Sequence, residues 1–176
     1  GNVTGGRVEK NLPGPAWETG WRGPVKPAGE RRESVGISGA GPGGLAAADM
    51  LRRAGIQVTV YDRHDRAGGL MTYGIPSFKL EKSVVMRRIK LLEQGGVNIV
   101  LNCEIGKDLS FADLRQKHDA VLIATGVYKS NDFKAPGSGA QGIVRAIDYL
   151  TASNRKSCGD AVEDFDKIGR ASCRER

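Results

Sequence analysis

Apolar residues in this chain fall into short β-branched runs separated by helix-forming stretches, and glycines mark the joins. Residues 34–38 form a short apolar run leading into Gly39-Ala-Gly-Pro-Gly-Gly44. Residues 45–54, rich in Leu, Ala, Met and Arg, predict a helix that Gly55 ends as the residue past the C-cap. Residues 56–61 are β-branched and stop at Asp62, so strand, glycine turn, helix and strand fit within the length of one βαβ unit, about 30 residues. A glycine-rich loop without helical or strand period follows over residues 63–78. From 81 to 94, Val85, Ile89 and Leu92 recur at helical spacing, with Arg87, Arg88 and Lys90 outside the stripe and Gly95-Gly96 as the stop. Residues 97–101 predict a strand, 110–117 a short helix with Ser110 as N-cap and Asp113 at N3, 120–124 a further apolar strand, and 146–151 the start of another helix. Such alternation predicts an α/β fold with a parallel sheet and right-handed crossovers.

A length of 176 residues allows one domain plus an extension. The segment 1–34 holds 4 of the 7 prolines and 7 glycines without sustained period, and reads as an extended linker or wrapping arm. Its Trp17 and Trp21 either dock a neighbouring surface or pack on the chain's own domain. Residues 35–166 carry the domain pattern. The last ten residues, 167–176, resemble the translation of a short-read sequencing adapter and are set aside as an artefactual tail. The chain opens on Gly1 rather than Met, and both ends read as cut.

The net charge of +7 suggests a nucleic-acid partner until its distribution is examined. Residues 35–166 carry 17 basic and 15 acidic groups, so the body is nearly neutral and nucleic acid is not expected. No apolar run approaches the roughly 18 residues of a membrane span and no signal peptide opens the chain, which makes the cytoplasm the expected compartment. Cys103, Cys158 and Cys173 are too scattered for a disulfide framework or a metal site, and His64 and His118 are too isolated for a ligand cluster. Cys103, at a strand end, reads as a small buried side chain.

Chemistry enters with Gly39-x-Gly41-x-x-Gly44 between a predicted strand and a predicted helix. Gly39 allows the tight turn, Gly41 lets the backbone approach a pyrophosphate, and Gly44 lets helix and strand pack closely. Pro42 suits the first helical turn because its missing N–H is no loss there. Asp62, at the end of the second strand, is the carboxylate this motif needs for a ribose 2′-OH, and it would repel a 2′-phosphate. These features predict dinucleotide binding without separating NAD from the ADP half of FAD.

Three further stretches narrow the reading. Asp65-Arg-Ala-Gly-Gly-Leu-Met-Thr-Tyr-Gly-Ile-Pro76, Phe78-Lys-Leu-Glu-Lys82 and Leu122-Ile-Ala-Thr-Gly126 resemble the small (beta) subunit family of NADPH-dependent glutamate synthase. More widely, they resemble the flavin-binding part of dihydropyrimidine dehydrogenase and adrenodoxin-type reductases. The resemblance runs from about Gly1 to Asp166 and implies a partial, Rossmann-like FAD-binding domain of an NADPH-dependent flavoprotein oxidoreductase. It further implies that Gly39, Ala40, Gly41, Pro42, Gly43 and Gly44 cradle the pyrophosphate and that Asp62 holds the ribose. Gly69 and Leu70 would lie along the flavin or its ribityl chain, Ile105 would meet the adenine end through its backbone, and Gly126 would let the chain pass close to the cofactor. Leu70 and Ile105 could equally be core, and Lys79 a solvated lysine rather than a flavin neighbour. Ser38 and Ser77 depart from the family pattern, and a buried hydroxyl at Ser38 would need a partner.

In that family NADPH reduces the flavin, and electrons pass through iron–sulfur clusters to a large subunit that forms glutamate from glutamine and 2-oxoglutarate. The resemblance places the NADPH domain, the cluster domain and the last FAD-contacting segment outside this chain, so the fragment alone is expected to be inactive. The cofactor carries the chemistry, and no catalytic acid or base is assigned. Two alternatives stay open: another flavoprotein such as a dihydropyrimidine dehydrogenase-like reductase, and a noncatalytic nucleotide-binding module with a basic tail.

Overall fold

The computed structural model describes residues 23–128, 135–140 and 142–162. Trp17, Trp21, Cys173 and the tail 167–176 lie outside the described residues. Four parallel strands form one sheet in the order β3-β2-β1-β4. They are β1 (Ser34–Ser38), β2 (Gln57–Tyr61), β3 (Val97–Val100) and β4 (Ala120–Ile123). Helix α1 (Pro42–Arg53) crosses from β1 to β2, and α3 (Lys82–Gln94) leads into β3. Helix α4 (Phe111–Lys117) precedes β4, and α5 (Ala146–Ser157) follows it. The α/β parallel-sheet expectation is borne out.

Apolar stripes on α1 and α3 meet one face of the sheet. Leu45 and Ala48 of α1, Val85, Ile89 and Leu92 of α3, and Ile37, Val58, Val60 and Val97 of the strands form the buried cluster. The i, i+4, i+7 spacing of α3 is therefore its core face. Ser110 caps α4 as expected, accepting the Asp113 N–H at 3.0 Å. Helix α1 begins at Pro42 rather than Leu45, because proline presets the helical φ in the first turn. The loop after β2 contains a four-residue helix, α2 (Leu70–Tyr73), too short to show a period.

Residues ahead of β1 are fastened to the domain. Arg31 N–H donates to Gly55 O, and the Arg52 guanidinium pairs with Glu30 while its Nε donates to Gly95 O at 2.7 Å. Arg52 thus joins the end of α1, the end of α3 and the arm through one side chain whose residue is only 8% exposed.

Behind β1, His118 packs over Gly36, where an added Cβ would stand 2.5 Å from the imidazole. His118 Nε2 lies 3.0 Å from the Tyr61 hydroxyl, and its Nδ1 is buried without a hydrogen-bond partner. Burial pushes the imidazole below its ordinary value, and Lys117 adds to the effect. The unfolded chain therefore binds a proton that the folded chain resists, and stability falls as pH is lowered through the ordinary imidazole range, about 6.5. Urea midpoints between pH 7.5 and 5.5 should decline in the wild type and decline less in His118→Gln. Equal slopes in the two proteins would contradict this.

Candidate functional site

Strand β1 has β2 on one side and β4 on the other, so the chain reverses direction across the sheet at the C-terminal ends of β1 and β4. In open α/β sheets this crevice is where ligands bind. A cleft of about 290 Å³ opens there, lined by Ser38, Gly39, Asp62, Ile105, Thr125 and Gly126, among others. The sequence-selected Gly39, Asp62, Ile105 and Gly126 thus come together from four separate stretches of chain.

The glycine turn divides by function. Gly39 has φ +111°, and a Cβ there would stand 2.4 Å from Ala124 O. Gly44 is tighter still, with an added Cβ 1.9 Å from Gly39 O. At Gly41 and Gly43, by contrast, an added Cβ meets nothing within 4 Å. Ala40 is fully buried beneath the turn. Gly41 caps α1 without a side-chain hydrogen bond, Pro42 occupies the first turn, and that turn holds no acidic residue. The N–H groups opening the helix are thus left without a side-chain cap beside an uncrowded Gly41, at a helix end whose dipole favours an anion by about 0.3–1 kcal/mol, or ~2 when partly buried.

Asp62 is 8% exposed and already engaged. One oxygen accepts the Ala40 N–H at 2.7 Å; the other accepts the His64 N–H at 2.9 Å and lies 2.8 Å from His64 Nδ1. A carboxylate offers about four acceptor positions, so one stays available toward the cleft. Asp62 therefore fixes the shape of the glycine turn besides lining the site.

Gly69 lies against Gly41: its own added Cβ would stand 2.8 Å from Gly41 Cα, and Gly68 N–H donates to Ala40 O at 2.8 Å. Both have positive φ, +111° and +52°. The Gly68-Gly69 pair and the Gly39–Gly44 turn consequently form one continuous glycine surface. Leu70 begins α2 and is half-exposed, outside the core. Lys79 is exposed. Lys82 Nζ donates to the carbonyls of Met71 and Ile75, satisfying the end of the loop.

Several cleft residues lie outside the motifs that assign the cofactor contacts. The Arg63 guanidinium lies 4.4 Å from the Tyr128 ring centroid, and His64 stands 5.9 Å from the same ring. Cys103, expected to be buried, is only partly so and lines the cleft. Burial pushes the Cys103 thiol and the Tyr61 phenol up, so both face the site uncharged near neutral pH. Ser38 is buried and lines the same cleft, while Ser77 Oγ is buried without a partner. Among the described residues no group of three or more His, Cys, Asp or Glu could hold a metal ion, and no helix is long and apolar enough to cross a membrane.

Comparison with known proteins agrees with this geometry. A model of the NAD(P)-binding Rossmann-like domain matches residues 37–85, the span from the end of β1 into α3. The chain is 69% identical over 93% of its length to a provisionally named glutamate synthase [NADPH] small chain of Cereibacter sphaeroides. It is 58% identical over 94% of its length to the glutamate synthase [NADPH] small chain of Azospirillum brasilense. It spans 40% and 34% of those two proteins. Among solved structures, FprA from Mycobacterium tuberculosis superposes with a TM-score of 0.65 at 23% identity, over 78% of this chain and 31% of that one, which establishes a shared fold. The resemblance to glutamate synthase small subunits, drawn from spaced motifs, is thus borne out along nearly the whole chain.

Proposed function

We propose that this chain is the FAD-holding part of an NADPH-dependent flavoprotein oxidoreductase of the glutamate synthase small-subunit type. The observation that carries the reading is the split within the glycine turn. Gly39 and Gly44 are packed against backbone, whereas Gly41 and Gly43 face open space at the start of α1. Packing alone gives Gly41 no reason to lack a side chain; a pyrophosphate lying on it does.

Gly39 through Gly44 would cradle the pyrophosphate, Asp62 would accept from the ribose with its remaining lone pair, and Ile105 would border the adenine through its backbone. Gly126, at φ +71°, would let the chain pass close to the ligand. The Gly68-Gly69 surface adjoins the cradle, and Gly69 and Leu70 would lie beside the ribityl chain of FAD. When bound, FAD supplies the redox chemistry, and the residues of this chain bind and orient it. For the whole protein we propose reduction by NADPH, iron–sulfur clusters outside the 176 residues of this chain, a glutamate-forming large subunit as electron acceptor, and a cytoplasmic location.

Titration of the chain with FAD tests the reading. One flavin per chain is expected, together with a rise in thermal midpoint. A ligand present at 100 times its Kd and bound only by the folded form adds about 2.7 kcal/mol. A chain that melts cooperatively at a midpoint unmoved by saturating FAD, and that retains no flavin on gel filtration, would refute it.

A further inference from the structure

The loop that carries Gly68-Gly69 is held from outside by a segment to which the sequence motifs assign nothing. Arg66 forms a bidentate pair with Asp160 at 2.7 and 2.6 Å, both side chains mostly covered. Arg155 donates to Asp65 at 2.8 Å and reaches Asp160 at 3.4 Å. Asn154, 2% exposed, donates to Tyr73 O and Leu150 O, both at 2.9 Å. Tyr73 in turn donates to Asp65 at 2.5 Å, and its ring lies 5.0 Å from that of His64, the partner of Asp62. The end of α5 thereby grips the glycine loop at both ends, and through His64 it reaches the carboxylate that shapes the turn.

Loop residues Gly68 and Gly69 both sit in the left-handed region, and α2 contributes a single turn. The loop is tied inward by Gly68 N–H to Ala40 O and by Lys82 to the carbonyls of Met71 and Ile75. Four residues cannot sustain a helix, however, and glycine loses the most entropy on ordering, so the loop's outer side needs a hold of its own. Bidentate, partly buried arginine–carboxylate pairs are among the few ion pairs strong enough to fix it.

We propose that α5 and Asp160 form a latch on the cofactor loop: Asn154, Arg155 and Asp160 hold Gly68-Gly69 against the glycine turn and so set how long a bound dinucleotide stays. This rests on the FAD reading. Asn154, Arg155 and Asp160 are positioning residues, acting through the loop and not on the ligand.

The test uses FAD and the 176-residue chain, in the wild type, Asp160→Asn, Asp160→Ala, Asn154→Leu, Arg66→Ala and the Arg66→Ala/Asp160→Ala pair. In stopped-flow fluorescence, FAD release should accelerate about tenfold in Asp160→Ala and Asn154→Leu, with association changed by less than about twofold, as is usual where contacts and not encounter are altered. Asp160→Asn, isosteric and partly exposed, should fold and release FAD at an intermediate rate. Added salt should speed release in the wild type more than in Asp160→Ala, and the double variant should be no faster than Arg66→Ala alone. Hydrogen exchange of residues 65–73 in the cofactor-free chain gives a second readout, and should quicken in Asp160→Asn while β1 to β3 stay unchanged. Unaltered release together with unaltered loop exchange would overturn the latch. A wild type that binds no FAD would overturn the cofactor reading and with it the retention role, and loop exchange would then decide separately whether the clasp exists.

Discussion

Gly41→Val is expected to abolish FAD binding while leaving the cofactor-free fold intact. The backbone at Gly41 is extended, with φ −77° and ψ −178°, a conformation that valine adopts readily. An added Cβ there meets no protein atom within 4 Å, so the folded chain gives the new side chain room. That room is the place of the pyrophosphate in the proposed complex, and a branched side chain fills it and shields the N–H groups at the start of α1. Affinity should fall by at least about a hundredfold, a little under 3 kcal/mol. The melt without FAD should stay within a few degrees of the wild type. Flavin retained by the variant would sink the assignment of this turn, and an apo melt lowered by more than about 10 °C would show that Gly41 serves packing after all.

Gly44→Val, three residues further on, should have the opposite character. Its Cβ would lie 1.9 Å from Gly39 O and 3.3 Å from a methyl of Ile37. The obstructing atom is backbone, and Gly39 is itself pinned by its N–H to Tyr61 O at 2.7 Å. Relief requires α1 to move away from β1, which breaks the contact of Leu45 and Ala48 with the strands. A domain of this size holds only about 5–15 kcal/mol in all, and separating its central helix from its central strand consumes most of it. We expect loss of a cooperative urea transition in Gly44→Val, with no recovery on adding FAD. A variant that unfolds cooperatively within 1–2 kcal/mol of the wild type would mean that the helix can shift cheaply. The two valines thus separate a glycine kept for a ligand from a glycine kept for the fold.

Local chemistry made one part of this architecture readable in advance. The spacing of Gly39, Gly41 and Gly44 between a β-branched run and an alanine-rich helix defines the turn, because each glycine answers a constraint set by its immediate neighbours. Val85, Ile89 and Leu92 revealed the buried face of α3, and Ser110 with Asp113 the start of α4, for the same reason. The cleft of Arg63, His64, Cys103 and Tyr128 was not readable, since Cys103 reaches the loop after β2 only where β3 pairs with β2, and Tyr128 only where β4 pairs with β1. Arg52 looked like an ordinary helix-former; its burial depends on Glu30 and on the carbonyl of Gly95, neither of which lies within its helix. The same holds for Asp160, whose partner Arg66 stands 94 positions away. Four residues of helix inside a glycine-rich stretch, Leu70 to Tyr73, carry too little pattern to register.

The order β3-β2-β1-β4 has an entropic side. The contact of Ala40 with Asp62, which joins β1 to β2, closes a loop of 22 residues, whereas Ser34 with Asp119, where β1 meets β4, closes one of 85. By the logarithmic dependence of closure entropy on length, the longer closure costs roughly 1 kcal/mol more. Strand β4 is also the less rewarded, with Ile123 at 64% and Leu122 at 38% exposure. The seam between β1 and β4 is thus the join that the chain holds least firmly, and the cleft at the ends of those two strands straddles it. A molecule bound there would do more than occupy a site; it would bridge residues from both sides of that seam and close the sheet where its own sequence leaves it weakest.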